Sequence, residues 1–263
     1  FKQENFGLME VKTEQFLGLI LVTMGKNTPP LAEWMGELVP PTLSTLLGGD
    51  GRLKLLGYQK VQYASNWKGY NDNDGYHGAL LHTAFRILSF QGGKGTQTMS
   101  KNGHWIIEAE LKPATNIDFL DDPSLISFKA ADPKRGSLIV QLYPLTTMVK
   151  HMDVINLRFA IARSPEVTEV HYAYFSHADD DEELAKHRLR QSSNLLGPCG
   201  MVSMEDAAVF HRIHIGNHTP GFAEFQKGVR SLSELSFNVG QSDESGNLPR
   251  WEHYRKVMGF KRE

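Results

Sequence analysis

The order of apolar and polar residues along the chain predicts a fold rich in strands. The longest apolar run lies within residues 16–23 and is typical of a buried strand, and an Asn-Thr-Pro-Pro sequence separates it from a predicted short helix at residues 31–38. Residues 53–63 partly alternate between apolar and polar side chains, as a half-buried strand does. Four further strands are predicted at residues 104–111, 137–148, 154–163 and 167–177.

Helical patterns interrupt these strands at three places. Residues 66–85 combine a dense group of Asp, Asn, His and Tyr with apolar residues at helical spacing, which predicts a polar cluster on or beside a helix. Five consecutive acids at residues 179–183 favour a helix that continues to Arg190, because negative charge stabilises a helix N-terminus. A turn at residues 197–200 leads into a predicted helix at residues 204–213. Successive strands with so few helices between them imply an antiparallel sheet.

Composition and charge narrow the class of function. A chain of 263 residues with 40% hydrophobic residues predicts one large domain with a sizeable core. The net charge of -2 and the scattered basic residues do not favour nucleic-acid binding, and the longest apolar run is far short of the roughly 20 residues that span a membrane. Because Cys199 is the only cysteine, the chain forms no internal disulfide or thiolate metal site. Any metal must be held by His and carboxylate.

One segment carries the pattern D-x-Y-H-x4-H, with Asp74, His77 and His82 as its polar members. Two imidazoles joined by a carboxylate from elsewhere can form the 2-His-1-carboxylate site of non-haem iron, which leaves positions open for O2. A spacing of five residues places the histidines about 140° apart on a regular helix, so they converge only where the helix is irregular. Gly75 and Gly78 favour such irregularity. Taken alone, the pair favours ordinary surface or core histidines over a metal site.

Three motifs together resemble a known family. They are Asn66-Trp67-Lys68, then Asp74-x-Tyr76-His77-x4-His82, and downstream Gly197-Pro198-x-Gly200-x4-Glu205-Asp206. The set is similar, in order and rough separation, to the catalytic domain of the α subunit of Rieske non-haem iron aromatic ring-hydroxylating oxygenases. The resemblance implies an α+β helix-grip fold, in which a large curved antiparallel sheet surrounds a long helix. It also implies that residues 1–52 follow a Rieske domain and form one structural unit with the mononuclear-iron domain at residues 53–263.

The resemblance also implies roles for particular residues. The iron ligands fall on His77, His82 and Asp206, and Asp74 falls on the residue that bridges an iron ligand to the Rieske cluster of a neighbouring subunit. Glu205 is expected to point another way, as a solvated or outer carboxylate. The stretch before Asp74 is shorter than in the family, so Asn71 and Asn73 compete for an amide position near the iron and neither is assigned. Candidates for the substrate cavity are Asn71, Leu81, Phe85, Leu195, Leu196, Met201, Val202 and Met204.

The implied activity is reductive activation of O2 at Fe(II) and hydroxylation of an aromatic or related apolar substrate. Electrons would come from NAD(P)H through a reductase, with or without a ferredoxin, and then a [2Fe-2S] Rieske cluster, in a cytoplasmic homotrimer with or without a β subunit. Two alternatives remain open at this stage. One is a catalytically silent helix-grip module that binds hydrophobic ligands, and the other is a zinc hydrolase with the same three ligands.

Overall fold

The computed structural model describes residues 1–72, 82, 94–118, 120–221 and 235–261. Its strands are β1 (Lys12–Phe16), β2 (Leu19–Thr23), β3 (Leu53–Tyr63), β4 (Gly95–Met99), β5 (Trp105–Ala109), β6 (Ser137–Leu142), β7 (Thr146–His151), β8 (Val154–Ser164), β9 (Val167–His177) and β10 (Asn238–Gly240). Its α-helices are α1 (Leu31–Met35), α2 (Val39–Leu46), α3 (Trp67–Asn71), α4 (Glu182–Gln191), α5 (Met201–Gly216) and α6 (Asn247–Val257). A π-helical turn (Ser192–Leu196) follows α4 directly. Within these ranges, every helix is too short or too polar to cross a bilayer.

Eight strands form one antiparallel sheet in the order β10-β4-β5-β6-β7-β8-β9-β3, and β1 and β2 form a separate hairpin. From β4 to β9 each strand pairs with the next strand along the chain. β3 then pairs with β9, with Leu53 opposite His177 and Tyr63 opposite Thr168. The predicted α+β class with a large antiparallel sheet is confirmed.

Two predicted strands are in fact hairpins. Residues 16–23 were expected to form one strand, but Leu17 and Gly18 have φ values of 45° and 87°, which place a turn between β1 and β2. Residues 137–148 divide into β6 and β7 around Pro144, which has no N–H to donate to a ladder. The predicted helix at residues 31–38 also divides, because Gly36 has a φ of 63° and ends α1 before α2 begins.

One side of the sheet, called here the apolar face, is defined by Ile106, Val140, Met148 and Leu157. These residues are register partners on β5 to β8, so their side chains form one row across the sheet. The helices α1 and α2 cover this row with the buried residues Leu31, Met35, Val39, Leu43 and Leu46. Burial of each such side chain contributes about 1.5–3 kcal/mol, so this face supplies much of the stability of the sheet.

The opposite side, called here the polar face, is defined by Gln141, Thr147, Arg158 and Tyr172. These are also register partners, and the first three are each one residue away from a member of the apolar row. Helix α5 packs on this side, where its Phe210 lies in one apolar cluster with Tyr172 and other residues of β3, β8 and β9. The part of this face around Tyr172 therefore lies under α5.

Candidate metal centre

Helix α5 begins three residues earlier than predicted, and its start is fixed by tight backbone packing. A Cβ atom on Gly200 would lie 2.5 Å from the carbonyl carbon of Leu195, so only glycine fits this turn. The Ser203 hydroxyl donates a hydrogen bond of 3.0 Å to the Leu196 carbonyl and ties the first turn of α5 to the π-helical turn. Asp206 follows one turn after Val202 and one turn before Phe210, so it lies on the buried side of α5.

His82 and Asp206 meet at a buried position. Their side chains are 3% and 11% exposed, and His82 Nε2 lies 3.3 Å from Asp206 Oδ1. Two ligand atoms that each lie about 2.1 Å from one ion, at right angles, are about 3.0 Å apart. The separation in this structure therefore suits two neighbouring ligands of a single ion. An imidazole nitrogen and a carboxylate oxygen are also donors that suit Fe(II).

Glu205 contacts the other nitrogen of the same ring. Its Oε2 lies 3.0 Å from His82 Nδ1, so it does not point away as the sequence analysis expected. The tautomer with its hydrogen on Nδ1 donates to Glu205 and leaves the lone pair of Nε2 on the side of Asp206. Carboxylates that fix metal-binding histidines in this way raise the basicity of the ligand. Glu205 fits the alternative expectation of an outer carboxylate.

The electrostatics of this cluster favour a cation. Burial lowers the pKa of His82, but the hydrogen bonds and charges of Asp206 and Glu205 outweigh burial and raise that pKa above its ordinary value. The two carboxylates thus place excess negative charge around one buried ring. A divalent metal ion at Nε2 would neutralise this charge, so the donor set present here fits the metal that the resemblance implies.

His151 is a further buried histidine, and no motif in the sequence singles it out. It lies on the polar face at the end of β7, where its Nδ1 is 3.2 Å from the Ser137 hydroxyl. Burial, together with the charges of His82 and Arg158, lowers the pKa of His151 to about 3. The alternation along β7 places residue 151 on the face of residue 147, which is the signal that could have found it.

The structure distributes the predicted cavity residues unevenly. Leu195, Leu196 and Val202 are buried in one cluster with Val149 and Val154, and Met201 packs against the same cluster. These side chains form an apolar wall next to Asp206. Met204, which was also predicted to line the cavity, is 56% exposed and lies on the outward side of α5. The predicted residues Asp74, His77, Leu81 and Phe85, and the alternative Asn73, lie outside the described residues.

Asn71 belongs to a buried polar network that joins distant parts of the chain. Its Oδ1 accepts a hydrogen bond from Gln141 on the polar face, and Gln141 Oε1 accepts one of 3.1 Å from Arg250 of α6. Arg250 also pairs with Asp72 at 3.0 Å, and Asp72 accepts a further bond of 2.7 Å from Trp251. The end of α3 is thereby fixed between the sheet and α6. The Asn71 amide oxygen is committed to this network.

A second histidine cluster lies on the surface at the far end of α5. Glu166, His214 and His218 bring ligand atoms within 4.8 Å of one another, and His214 Nε2 lies 2.5 Å from Glu166 Oε2. His211, three residues before His214 on α5, does not join this group and instead contacts the Ala64 carbonyl at 3.1 Å. This exposed group is separate from the buried cluster around His82.

A buried histidine between two carboxylates offers the nitrogen and oxygen donors from which a metal site can be built. A family model described as the ring-hydroxylating α subunit (catalytic domain) matches residues 51–238. The chain therefore belongs to the family of ring-hydroxylating α-subunit catalytic domains, and the resemblance inferred from its motifs is confirmed.

Individual relatives and solved structures agree with this assignment. The chain is 25% identical to the α subunit 2 of the terminal oxygenase component of terephthalate 1,2-dioxygenase from Comamonas sp., over 98% of this chain and 67% of that protein. It is also 25% identical to the large subunit of anthranilate 1,2-dioxygenase from Burkholderia cepacia, over 99% of this chain and 66% of that protein. The fold is similar to that of naphthalene 1,2-dioxygenase from Rhodococcus sp., with a TM-score of 0.75, 16% identity, and coverage of 94% of this chain and 66% of that chain. The chain spans about two thirds of the length of these relatives.

Proposed function

We propose that this chain is the catalytic domain of an oxygenase component, which binds one Fe(II) ion through His77, His82 and Asp206 and hydroxylates an aromatic substrate with O2. The observation that carries the proposal is the position of His82, with Asp206 at one ring nitrogen and Glu205 at the other. Two imidazoles and one carboxylate match the ligand preference of Fe(II), and they leave other positions on the ion open. Bound iron would supply the one-electron chemistry that lets O2 react with an aromatic ring.

Within this proposal, the described residues have distinct tasks. His82 Nε2 and Asp206 Oδ1 hold the ion, and Glu205 accepts the Nδ1 hydrogen and keeps the ring in one orientation. The apolar wall that includes Leu195 and Val202 provides a surface for an aromatic ring and excludes water from the reacting region.

Turnover also requires components that lie outside the described residues. The proposal includes electrons from NAD(P)H, delivered through a reductase and, where present, a ferredoxin to a [2Fe-2S] Rieske cluster. Asp74 would connect His77 to a cluster in an adjacent subunit of a homotrimer. The relatives named above act on terephthalate and anthranilate, both of which are aromatic rings that carry carboxylate groups, and this agrees with an aromatic substrate for this chain.

The first test of the proposal is the iron content of purified protein. The chain and its His82→Ala and Asp206→Ala variants are loaded with Fe(II) under anaerobic conditions, passed over a desalting column and analysed by mass spectrometry for metal. We expect about one iron per chain in the parent protein and loss of most of it in both variants. His218→Ala is the matched control, because it removes a histidine from the exposed cluster and should keep its iron.

Two outcomes would contradict the proposal. One is an unchanged iron content in the His82→Ala variant, and the other is tight binding of zinc with hydrolysis of ester substrates and no oxygenation. Oxygenation itself is measured in the protein that carries the Rieske cluster, as incorporation of labelled oxygen from 18O2 into an aromatic product. A binding module without catalysis would bind arenes yet incorporate no label.

A further inference from the structure

The polar face holds an arginine at the centre of the sheet. Arg158 lies on β8 with Thr147 and Tyr172 as its register partners on the two neighbouring strands. Its side chain is half-buried although the facing Tyr172 is only 1% exposed. The guanidinium lies over the Tyr172 ring, and Tyr172 packs in one cluster with Phe210 of α5. Arg158 is therefore on the side of the sheet that this helix covers.

The contacts of Arg158 use only part of its hydrogen-bonding capacity. Its Nε donates a bond of 3.0 Å to Asn156 Oδ1, and its guanidinium also hydrogen-bonds the Tyr70 hydroxyl. Its guanidinium carbon lies 5.1 Å from the centre of the Tyr172 ring. Asn156 is itself fully buried, and its Nδ2 has no hydrogen-bond acceptor among the described residues. A guanidinium group carries five N–H donors, so donors exceed acceptors around this position.

Two other arginines of the chain have carboxylate partners, and this distinguishes them from Arg158. Arg188 and Arg250 are buried more deeply, and each pairs with a carboxylate, Asp180 at 2.6 Å and Asp72 at 3.0 Å. In the described parts of the chain, Arg158 forms no ion pair with a carboxylate. A charge held away from bulk water is costly unless an opposite charge accompanies it. Arg158 thus has the environment of an arginine whose anionic partner is supplied by another molecule.

One negative charge that acts on Arg158 belongs to the proposed metal centre. Burial lowers the pKa of the Arg158 guanidinium, and the neighbouring tyrosines and Asp206 together raise it above its ordinary value. In the proposed function, Asp206 is a ligand of the iron and its charge is balanced there. Asp206 and Phe210 lie one turn apart on the buried side of α5, and Phe210 packs in one cluster with Tyr172. Arg158, which lies over Tyr172, is therefore on the same side of the sheet as Asp206.

We propose that Arg158 is the binding subsite for the carboxylate of an aromatic acid substrate, whose ring then extends towards the His82–Asp206 centre. The planar guanidinium fork matches a carboxylate in geometry and charge, and two parallel hydrogen bonds would fix the orientation of the ring. The Tyr172 ring under the guanidinium helps to hold the fork in place. This inference takes the position of the reacting centre from the proposed function. It adds that the substrate is an anion and not a neutral hydrocarbon.

The test compares acids with their neutral amides. Binding of benzoate, anthranilate and terephthalate to the iron-loaded, oxygen-free protein is measured by isothermal titration calorimetry, beside benzamide, anthranilamide and terephthalamide. We expect at least one acid to bind about 10- to 100-fold more tightly than its amide, which is the range expected for hydrogen bonds to a charged group. Arg158→Gln should remove this preference by weakening the acid and leaving the amide unchanged. Arg158→Lys, which keeps the charge and loses the fork, should retain part of the preference.

Arg163→Gln is the matched control. It removes one positive charge from the same strand, at an exposed position where the side chain pairs with Glu169 at 2.6 Å. It should leave both ligands unaffected. Circular dichroism and melting temperature of every variant show whether it is folded. If Arg158→Gln does not fold, Arg158→Lys and the acid-to-amide ratio of the parent protein still decide the question.

Three results would overturn the proposal. They are equal or weaker binding of all acids relative to their amides, no binding of any acid, and an acid preference that survives in a folded Arg158→Gln variant. A preference that survives there and disappears in His82→Ala would place the carboxylate on the metal instead. Iron content is measured on the same samples. A chain that takes up no iron but prefers acids through Arg158 would contradict the proposed function alone, whereas an iron-binding chain without that preference would contradict this inference alone.

Discussion

The two faces of the sheet are made by the same strands, but one buries apolar side chains and the other carries polar and charged side chains. Val140 and Gln141 are consecutive, yet one is fully buried under α2 and the other joins a polar network. Leu157 and Arg158 repeat this contrast on β8. Because side chains alternate across a strand, one residue of register separates a face that stabilises the fold from a face that keeps charged groups beside the candidate metal centre.

The contrast shows how a fold of this kind can retain costly polar groups. Arg158, His151 and the carboxylates around His82 are held away from bulk water, and each of them reduces the net stability unless it is compensated. The apolar face carries no such groups in its central row and supplies stabilising burial instead. Substitutions on the two faces should therefore have separable effects on folding and on binding.

The largest expected effect is on the apolar face. Leu43 of α2 is fully buried against the sheet, so Leu43→Ala should lower the free energy of unfolding by about 2–5 kcal/mol through lost burial and the resulting cavity. Urea denaturation measures this change, and iron content at low temperature should stay the same. Ile20→Ala, at a side chain that is 70% exposed, is the control and should change stability little. Loss of iron in folded Leu43→Ala would mean that the two faces are not independent.

The next effect depends on pH and concerns one edge of the apolar face. His104 is fully buried, its Nε2 lies 2.8 Å from the Trp34 carbonyl, and its Nδ1 accepts a 3.0 Å bond from the Tyr143 amide. Burial lowers the pKa of His104 to about 4. In the unfolded chain that pKa is about 6.5, so between these values the unfolded state alone binds the proton. The free energy of unfolding should thus fall as pH falls from 6.5 to 4, by at most about 1.4 kcal/mol per pH unit.

The variant His104→Asn isolates this contribution. Denaturation curves collected at several pH values give the free energy of unfolding as a function of pH. The slope of this function should be smaller in the variant than in the parent protein, by the equivalent of up to one bound proton. His218→Gln, which replaces an exposed histidine, serves as the reference. An unchanged slope in His104→Asn would show that another group is responsible for the acid sensitivity.

A smaller effect is expected at the outer carboxylate of the metal centre. Glu205→Gln keeps a hydrogen-bond acceptor next to His82 Nδ1 but removes the negative charge, so iron affinity should fall about 10- to 100-fold without loss of the fold. Competition with a coloured chelator measures the affinity. The control is Glu166→Gln in the exposed histidine cluster, which should bind iron as the parent does. Complete loss of iron in Glu205→Gln would make Glu205 a direct ligand.

The smallest effect is expected at the boundary of the polar face. Met204 is more than half exposed, so Met204→Ser should change the free energy of unfolding by less than about 0.5 kcal/mol and should leave arene binding unchanged. Calorimetry with the acids and amides used for Arg158 is the measurement. Weaker binding in this variant would place Met204 in the substrate cavity, as the sequence analysis first suggested.

The regular parts of the fold could be predicted from the sequence. The bounds of β3 and β9 agree with the prediction at both ends, because turn residues lie clearly outside each of these segments. The division of residues 137–148 was missed, since its apolar residues continue almost up to Pro144 and hide the turn. β4 was missed because Gly95 and the two threonines of this short strand give no apolar pattern.

The candidate site was predictable only where a motif marks it. His82 and Asp206 were chosen from motifs about 120 residues apart, and the structure brings them together. Arg158 and His151 were not chosen, because alternation shows that a strand has two sides without showing which side a helix will cover. The contact between Glu205 and His82 depends on how α5 is rotated against the sheet, and no local pattern specifies that rotation.

The bond between Asp72 and Arg250 has a consequence for how the protein is made. The two residues are 178 positions apart, and the second belongs to the last described helix. A ribosome that adds about 5–20 residues per second needs roughly 10–35 seconds to travel that distance. Throughout that interval Asn71 and Asp72 exist without the guanidinium that binds them, and Gln141 joins them in the same condition once it has been added. The nascent chain therefore carries an incomplete polar interior until α6 has been synthesised, later than a fold built from local contacts would.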